Sequence, residues 1–474
     1  MSKSQQQARL LSRRQLLQAG GVGALAMAAP GMVAASVDAT RGLRGQAAER
    51  SVIFVLLCGG PSHLDTWDLK PEAPDNIRGP YRPAASRVPG MRISELNTRL
   101  ATMTDQFTLI RSMTHVGNIS NHFDAMHHLL SGQAGAPPDS PYLGSIMARL
   151  RPSERTIANY VWLIRCVGDP VFCAPNIGSG GHLGAQYQPL FVGNANNHPA
   201  MPSFRAPEEL QPAVEPARLQ QRRRLLSSVE QPGRSRSSAN DDRTTRDWDN
   251  LQHRAMEMAN GPGGREVFDL RHETTATRDR YGMHPLGQNL LLARRLVESG
   301  VNFVTVNGWT GSAPGQAGGG PPASSWDMHG SEMGMGNAFG TGSYGMGWCL
   351  PCLDQGLSAL LTDLRDRGLL ERTLVVTMGE FGRTPRINQP DRLPGRQHWP
   401  NCWSAILAGG GIRGGAVYGE TDRIAAYVKD RPVRVQDLGA TIYHSLGIAP
   451  ETRLGRDGFT RPVSTGQPLL DLFG

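Results

Sequence analysis

Lysine is nearly missing from this chain of 474 residues: it occurs only as Lys3, Lys70 and Lys429, so almost every positive charge is an arginine. A bias that uniform reflects gene base composition before it reflects anion recognition. Aromatic residues are also scarce at 6%, and charged residues reach only 19%, against 39% hydrophobic. That balance supports a buried core and a globular chain of one large or two ordinary domains. Glycine and proline make up about a fifth of the residues, which implies many loops. No run is long and apolar enough for a permanent membrane span. Six cysteines at this length exclude a disulfide-stapled miniprotein. Acid is absent from the first 36 residues, which carry Lys3, Arg9, Arg13 and Arg14. Taking these four from 49 basic residues leaves 45 against 41 acidic, so the formal +8 falls to +4. A balance that slight argues against nucleic acid as a partner.

The acid-free start is ordered. Ser12-Arg13-Arg14-Gln15-Leu16-Leu17 puts paired arginines ahead of apolar residues, and a Gly/Ala-rich stretch with small residues near Ala28 and Ala35 follows. This is the layout of a twin-arginine signal, expected over residues 1–36 and read by the Tat translocon, with a polar linker over 37–50. The protein is therefore expected in the periplasm or outside the cell. Tat carries folded proteins, so a metal can be loaded before export.

Residues 51–58 form a continuous apolar run, as in a buried parallel strand, ending at Gly59-Gly60-Pro61. Further strands are predicted at 106–111, 159–164, 301–306, 373–378 and 403–408, and helices at 124–130, 288–299, 353–367 and 435–446. Residues 206–260, rich in Pro, Gln, Arg and Ser, read as surface helices and a flexible excursion. Alternating strands and helices define an α/β class with a mostly parallel sheet, over a single domain at 51–474.

Chemistry-bearing residues fall just after predicted strands or in glycine-rich loops: Ser62, His63 and Asp65; Asn121 and His122; Asp327 and His329; Glu380 with His398. Carboxylates and neutral imidazoles together suit a divalent ion; zinc and manganese favour mixed ligands, calcium and magnesium all-oxygen ones. Asp65, Asp327, His329, Glu380 and His398 are the candidate metal ligands. Ser62 lies in a strand-to-loop turn, where it serves as a nucleophile or as a helix cap. Arg383 either holds a sulfate or phosphate bidentately or pins its loop. Cys349-Leu350-Pro351-Cys352 is a disulfide, half a metal site or two unpaired thiols.

Gly59-Gly60-Pro61-Ser62-His63-Leu64-Asp65-Thr66-Trp67-Asp68, Trp326-Asp327-Met328-His329, Gly379-Glu380-Phe381-Gly382-Arg383-Thr384-Pro385 and Gly395-Arg396-Gln397-His398-Trp399 resemble the motifs of the domain-of-unknown-function family 1501. The resemblance runs from about Arg50 to Ile448. It implies a three-layer α/β/α fold of the alkaline phosphatase and sulfatase kind and, by analogy, metal-dependent ester hydrolysis. Sulfatases carry paired aspartates where this chain has Gly59-Gly60, leaving Asp65 or Asp68 to stand in. Their formylglycine nucleophile would fall at His122, counted back from Gly132, and their late Asp-His pair is replaced by Glu380. The resemblance thus implies a hydrolase of small-molecule or polysaccharide sulfate or phosphate esters without formylglycine, acting through Ser62, His122 and Arg383. The alternative is a non-catalytic surface or polysaccharide-binding protein that keeps the fold.

Overall fold

The computed structural model describes residues 50–474 apart from 154–157, 165–179, 317–323, 389–391, 457–458 and all but scattered positions of 206–264. The twin-arginine segment, nearly all of the 37–50 linker and nearly all of the 206–260 excursion lie outside the described residues.

The main sheet is built from β1 (Ser51–Leu56), β2 (Phe107–Thr114), β3 (Tyr160–Leu163), β4 (Leu190–Val192), β5 (Phe303–Asn307), β6 (Thr373–Met378), β7 (Trp403–Ala408), β8 (Val417–Tyr418) and β9 (Val433–Arg434). Their spatial order is β8-β2-β7-β6-β1-β5-β3-β4, with β9 also beside β2. Strand β1 pairs in parallel with β5 and with β6. Only β7 runs against its neighbours β2 and β6. The sheet is thus mostly parallel, as expected.

Alternate side chains of a strand point to opposite faces, so a strand covered on both sides must be apolar throughout. Ile53 and Val55 of β1 join a core with Leu290, Leu353 and Leu360 from α3 (Pro285–Glu298) and α4 (Met346–Asp366). Val52, Phe54 and Leu56 join a second core on the other face. Its helices are α1 (His122–Ser131), α2 (Leu143–Leu150) and α5 (Val435–Ser445), which contribute Met126, Ile146 and Ile442. Helix, sheet and helix make three layers. Among the described residues no helix is long and apolar enough to cross a membrane.

Several elements depart from expectation. Helix α4 begins at Met346 rather than 353, so Cys349 and Cys352 lie inside it, both as free buried thiols, which is the last of the three alternatives open for them. Burial pushes the Cys349 thiol up to about 12. Its Sγ reaches the carbonyls of Ser325 and Ser343 at 3.5 and 3.4 Å, tying the helix to the loop that carries Asp327. Strands β4, β8 and β9 and helix α2 are too short, or too mixed in pattern, to stand out in the sequence.

Candidate metal centre

All four segments singled out in the sequence reach one edge of the sheet. Parallel strands β1, β2, β5 and β6 end there, which places the loops beginning at Leu57, His115, Gly308 and Gly379 along it. Because β7 is antiparallel, its beginning lies at the same edge, so the segment preceding it delivers His398 to that side.

Asp327 and His329 follow β5 in a tight loop anchored by Trp326, which is fully buried and donates from Nε1 to the Gly308 carbonyl at 2.9 Å. Gly59 makes this packing feasible, and Gly60 makes room for Phe381, which a Cβ there would approach to 2.7 Å. A Cβ on Gly59, whose φ is +110°, would stand 2.2 Å from the Asp327 nitrogen. A side chain at 59 would displace the Asp327 loop and one at 60 would displace Phe381, which accounts for the Gly-Gly. Asn121 caps α1 by accepting from the Asp124 N–H, so His122 is the first residue of the helix, two positions earlier than predicted. His398 lies on a short ribbon pairing His398–Trp399 with Gly382–Arg383. Phe381 packs against His398 and His122 with ring centroids 4.5 and 5.0 Å away.

Donor atoms of His122, Asp327, His329 and His398 all lie within 4.8 Å of one another. His329 Nε2 is 2.8 Å from Asp327 Oδ1 and 2.9 Å from His398 Nε2, which is itself 3.3 Å from that oxygen. The far nitrogens are committed. His398 Nδ1 lies 2.7 Å from the Ser120 carbonyl and His329 Nδ1 2.6 Å from Gln397 Oε1, both acceptors. In the neutral rings both protons therefore sit on Nδ1, and two Nε2 lone pairs converge on a carboxylate oxygen. Three lone pairs this close need a positive centre between them, a proton or a metal ion. The three-nitrogen, one-oxygen set fits zinc and other borderline divalent ions better than calcium or magnesium.

The surrounding charges are unequal. Arg383 is fully buried and spends its guanidinium on the carbonyls of Gly59, Gly60 and Arg396 and on Asp327 Oδ1. It therefore pins the loops and has no face left for a substrate anion. With neutral imidazoles, Asp327 and Glu380 against Arg383 leave one uncompensated negative charge. Burial raises the Asp327 carboxyl, but the Arg383 charge, with the His122 imidazole beside it, outweighs burial and holds it well below the usual range. Burial lowers His122, yet hydrogen bonds to Asp327 and Glu380 prevail and lift it to about 9. Burial, with the Arg383 and His122 charges, holds His398 down to about 4 despite its bond to Asp327. A bound metal would compete with the His122 proton.

Glu380 and Asp65, two expected ligands, are placed differently. Glu380 is one step removed: its Oε1 receives the Gly59 N–H at 2.9 Å and His122 Nδ1 at 2.6 Å, so it orients the imidazole. Asp65 is outside the centre, in a buried ion pair with Arg396 at 2.8 Å. Asp68 likewise is bound to Lys70 at 3.0 Å and by the Thr421 hydroxyl. Ser62 occupies the N-cap position of the one-turn helix His63–Thr66 without capping it, and its buried hydroxyl has no partner among the described residues. Gln397 and Arg396 were not anticipated; their signal was adjacency to His398 in one glycine-led motif.

Fold and centre define a three-layer α/β/α protein with a histidine–carboxylate cluster at the carboxyl edge of its sheet. The chain belongs to the family described as Protein of unknown function (DUF1501), whose model matches residues 49–473. No curated protein matches it. Among solved structures it is similar to the lipoteichoic acid synthase LtaP from Listeria monocytogenes, at 10% identity and a TM-score of 0.36, covering 89% of this chain and 76% of that one. It is similar also to the PsFucS1 sulfatase from Pseudoalteromonas sp., at 11% identity and a TM-score of 0.37, covering 93% and 77%. The phosphonate monoester hydrolase SpPMH from Silicibacter pomeroyi gives 14% and 0.29, over 79% and 71%. Likeness at these values carries no inference about chemistry.

Proposed function

We propose that this protein is an exported hydrolase of sulfate or phosphate esters that holds one divalent ion, zinc or manganese, on Asp327, His329, His398 and His122. The observation that supports it is the convergence of the His329 and His398 Nε2 lone pairs on Asp327 Oδ1. When bound, the ion would supply Lewis-acid polarisation of an ester oxygen. His398, with a side chain 19% exposed, is the most accessible member of the set. Glu380 and Gln397 hold His122 and His329 in the ligating tautomers. Phe381 and the buried Trp326 loop restrict water behind the centre. Ser62, buried with an uncommitted hydroxyl, is the candidate nucleophile. No formylglycine is involved, since the imidazole of His122 cannot make an aldehyde hydrate. Residues 1–36 act as the export signal and 51–474 as one domain.

A second reading, a surface-binding protein that keeps the metal without catalysis, is favoured by His122 standing where the resemblance would put a sulfatase nucleophile. Elemental analysis of chelator-free protein, followed by turnover of aryl sulfates, aryl phosphates and phosphonates with and without chelator, separates the two. Chelator-sensitive turnover with one bound ion and unmodified cysteines and serines by peptide mass is expected. Metal without turnover selects the binder. Protein free of metal, or a formylglycine in the peptide map, overturns the proposal.

A further inference from the structure

Beyond the donors lies a chain of hydrogen bonds that runs from the buried His329 to the surface through Gln397. We propose that Gln397, oriented by Glu332, is a positioning residue that decides whether His329 can bind metal; this rests on the metal centre proposed above.

The argument is one of obligatory donors and acceptors. An ionised carboxylate only accepts. Glu332 is exposed and its Oε2 receives Gln397 Nε2, and Asn388 Nδ2 at 3.3 Å. The Gln397 amide must therefore turn its NH2 outward, which leaves Oε1 facing His329, 2.6 Å from Nδ1. An amide oxygen also only accepts, so Nδ1 carries the proton and Nε2 presents its lone pair to Asp327 and His398.

Rotating the amide by half a turn reverses every role. The NH2 would then face Nδ1, the ring proton would move to Nε2, and that N–H would donate to Asp327 Oδ1, 2.8 Å away. The imidazole would satisfy Asp327 by itself and cease to be a ligand. The main chain leaves this rotation as the remaining freedom. Gln397 N–H donates to Thr384 Oγ1 at 3.0 Å, and the Gln397 carbonyl accepts from the Thr384 N–H at 2.8 Å. The surface carboxylate of Glu332 thus selects the state of a histidine it does not touch.

The test is zinc affinity of the full chain, measured by competition with a chromogenic chelator, with thermal unfolding in excess chelator as the fold control. Gln397→Met removes the acceptor without changing length and should weaken binding about ten- to a hundredfold. Glu332→Ala leaves the amide free to rotate and should cost about two- to tenfold, the worth of one hydrogen bond. Gln397→Glu accepts from Nδ1 in either orientation but sets its carboxylate against that of Glu332, so it should retain affinity within about threefold only with Glu332→Ala in the same chain, where the like-charge contact is gone. That rescue is not expected of a residue that merely fills space. Wild-type affinity in Gln397→Met, or an unrelieved Glu332→Ala penalty in the Gln397→Glu background, overturns the proposal. If the unaltered protein binds no zinc, the proposed centre fails instead. The positioning role is then decided by 15N spectra of histidine-labelled protein: a proton on His329 Nδ1 supports it, and one on Nε2 overturns it.

Discussion

Changing Arg396 to methionine should cost about 3–5 kcal/mol of folding stability, because it strands the carboxylate of Asp65 inside the protein. Both side chains are almost wholly buried, at 2% and 1% exposure, with Nε 2.8 Å from Oδ2 and a second guanidinium nitrogen 3.2 Å from Oδ1. The remaining donors serve the carbonyls of Ile77, Thr384 and Pro385. Against a typical total of about 5–15 kcal/mol, this single loss is large. Replacing the pair together, Asp65→Leu with Arg396→Met, removes the stranded charge and should recover about 2 kcal/mol or more. Recovery stays incomplete, since three carbonyls still lack their donor. Urea unfolding in excess chelator measures each variant, and the double-mutant cycle isolates the pair. The same experiment tests the role of Asp65. If it is half of an ion pair and no ligand, Asp65→Asn lowers stability but leaves the zinc affinity of the folded protein unchanged. An Arg396→Met cost under about 1 kcal/mol, or an Asp65→Asn variant that loses zinc as a ligand variant would, refutes this reasoning.

Acid should destabilise the fold through two buried histidines outside the centre. Burial holds His115 and His284 down to about 4 in the folded chain, against about 6.5 unfolded. Above 6.5 both are neutral in both states, so they add no pH dependence there. As pH falls from 6.5 towards 4 only the unfolded chain takes up these protons, and each site then removes up to about 3 kcal/mol. Urea midpoints across that range should fall, and His115→Gln should flatten the slope; a level profile refutes the assignment. Export is tested by changing Arg13 and Arg14 together to lysine, which should retain the uncleaved precursor in the cytoplasm. Undiminished export of that variant by cells with Sec as their other route counts against a twin-arginine signal.

The fold was largely legible where burial was symmetric. Strands at 373–378 and 403–408 were predicted to the residue, because a strand covered on both faces is apolar without interruption. The same continuity carries no direction, so the reversed sense of β7 was invisible, and with it the reason His398 reaches the centre. Asp327, His329 and His398 were legible from their glycine-led loops. His122 was legible from its place with Asn121 after a predicted strand, and again by counting back from Gly132. Glu380 and Asp65 were misplaced for one shared reason: a carboxylate in a motif looks the same whether it meets a metal, an imidazole or a guanidinium. Which of these it meets is set by Arg396 and His122, brought in from segments far along the chain.

The position of β1 at the middle of the sheet bears on how the chain is made. Among the described residues it is the first strand to be synthesised, yet its partners Phe303 and Leu374 lie about 250 and 320 residues downstream of Val52. At a synthesis rate of roughly 5–20 residues per second, this six-residue apolar segment waits some tens of seconds for a neighbour. Until then both edges of a strand destined for full burial are unpaired, the condition that recruits chaperones and seeds aggregation. Final assembly of the sheet must follow release of its C-terminal third from the ribosome, so fragments truncated before Thr373 cannot complete it.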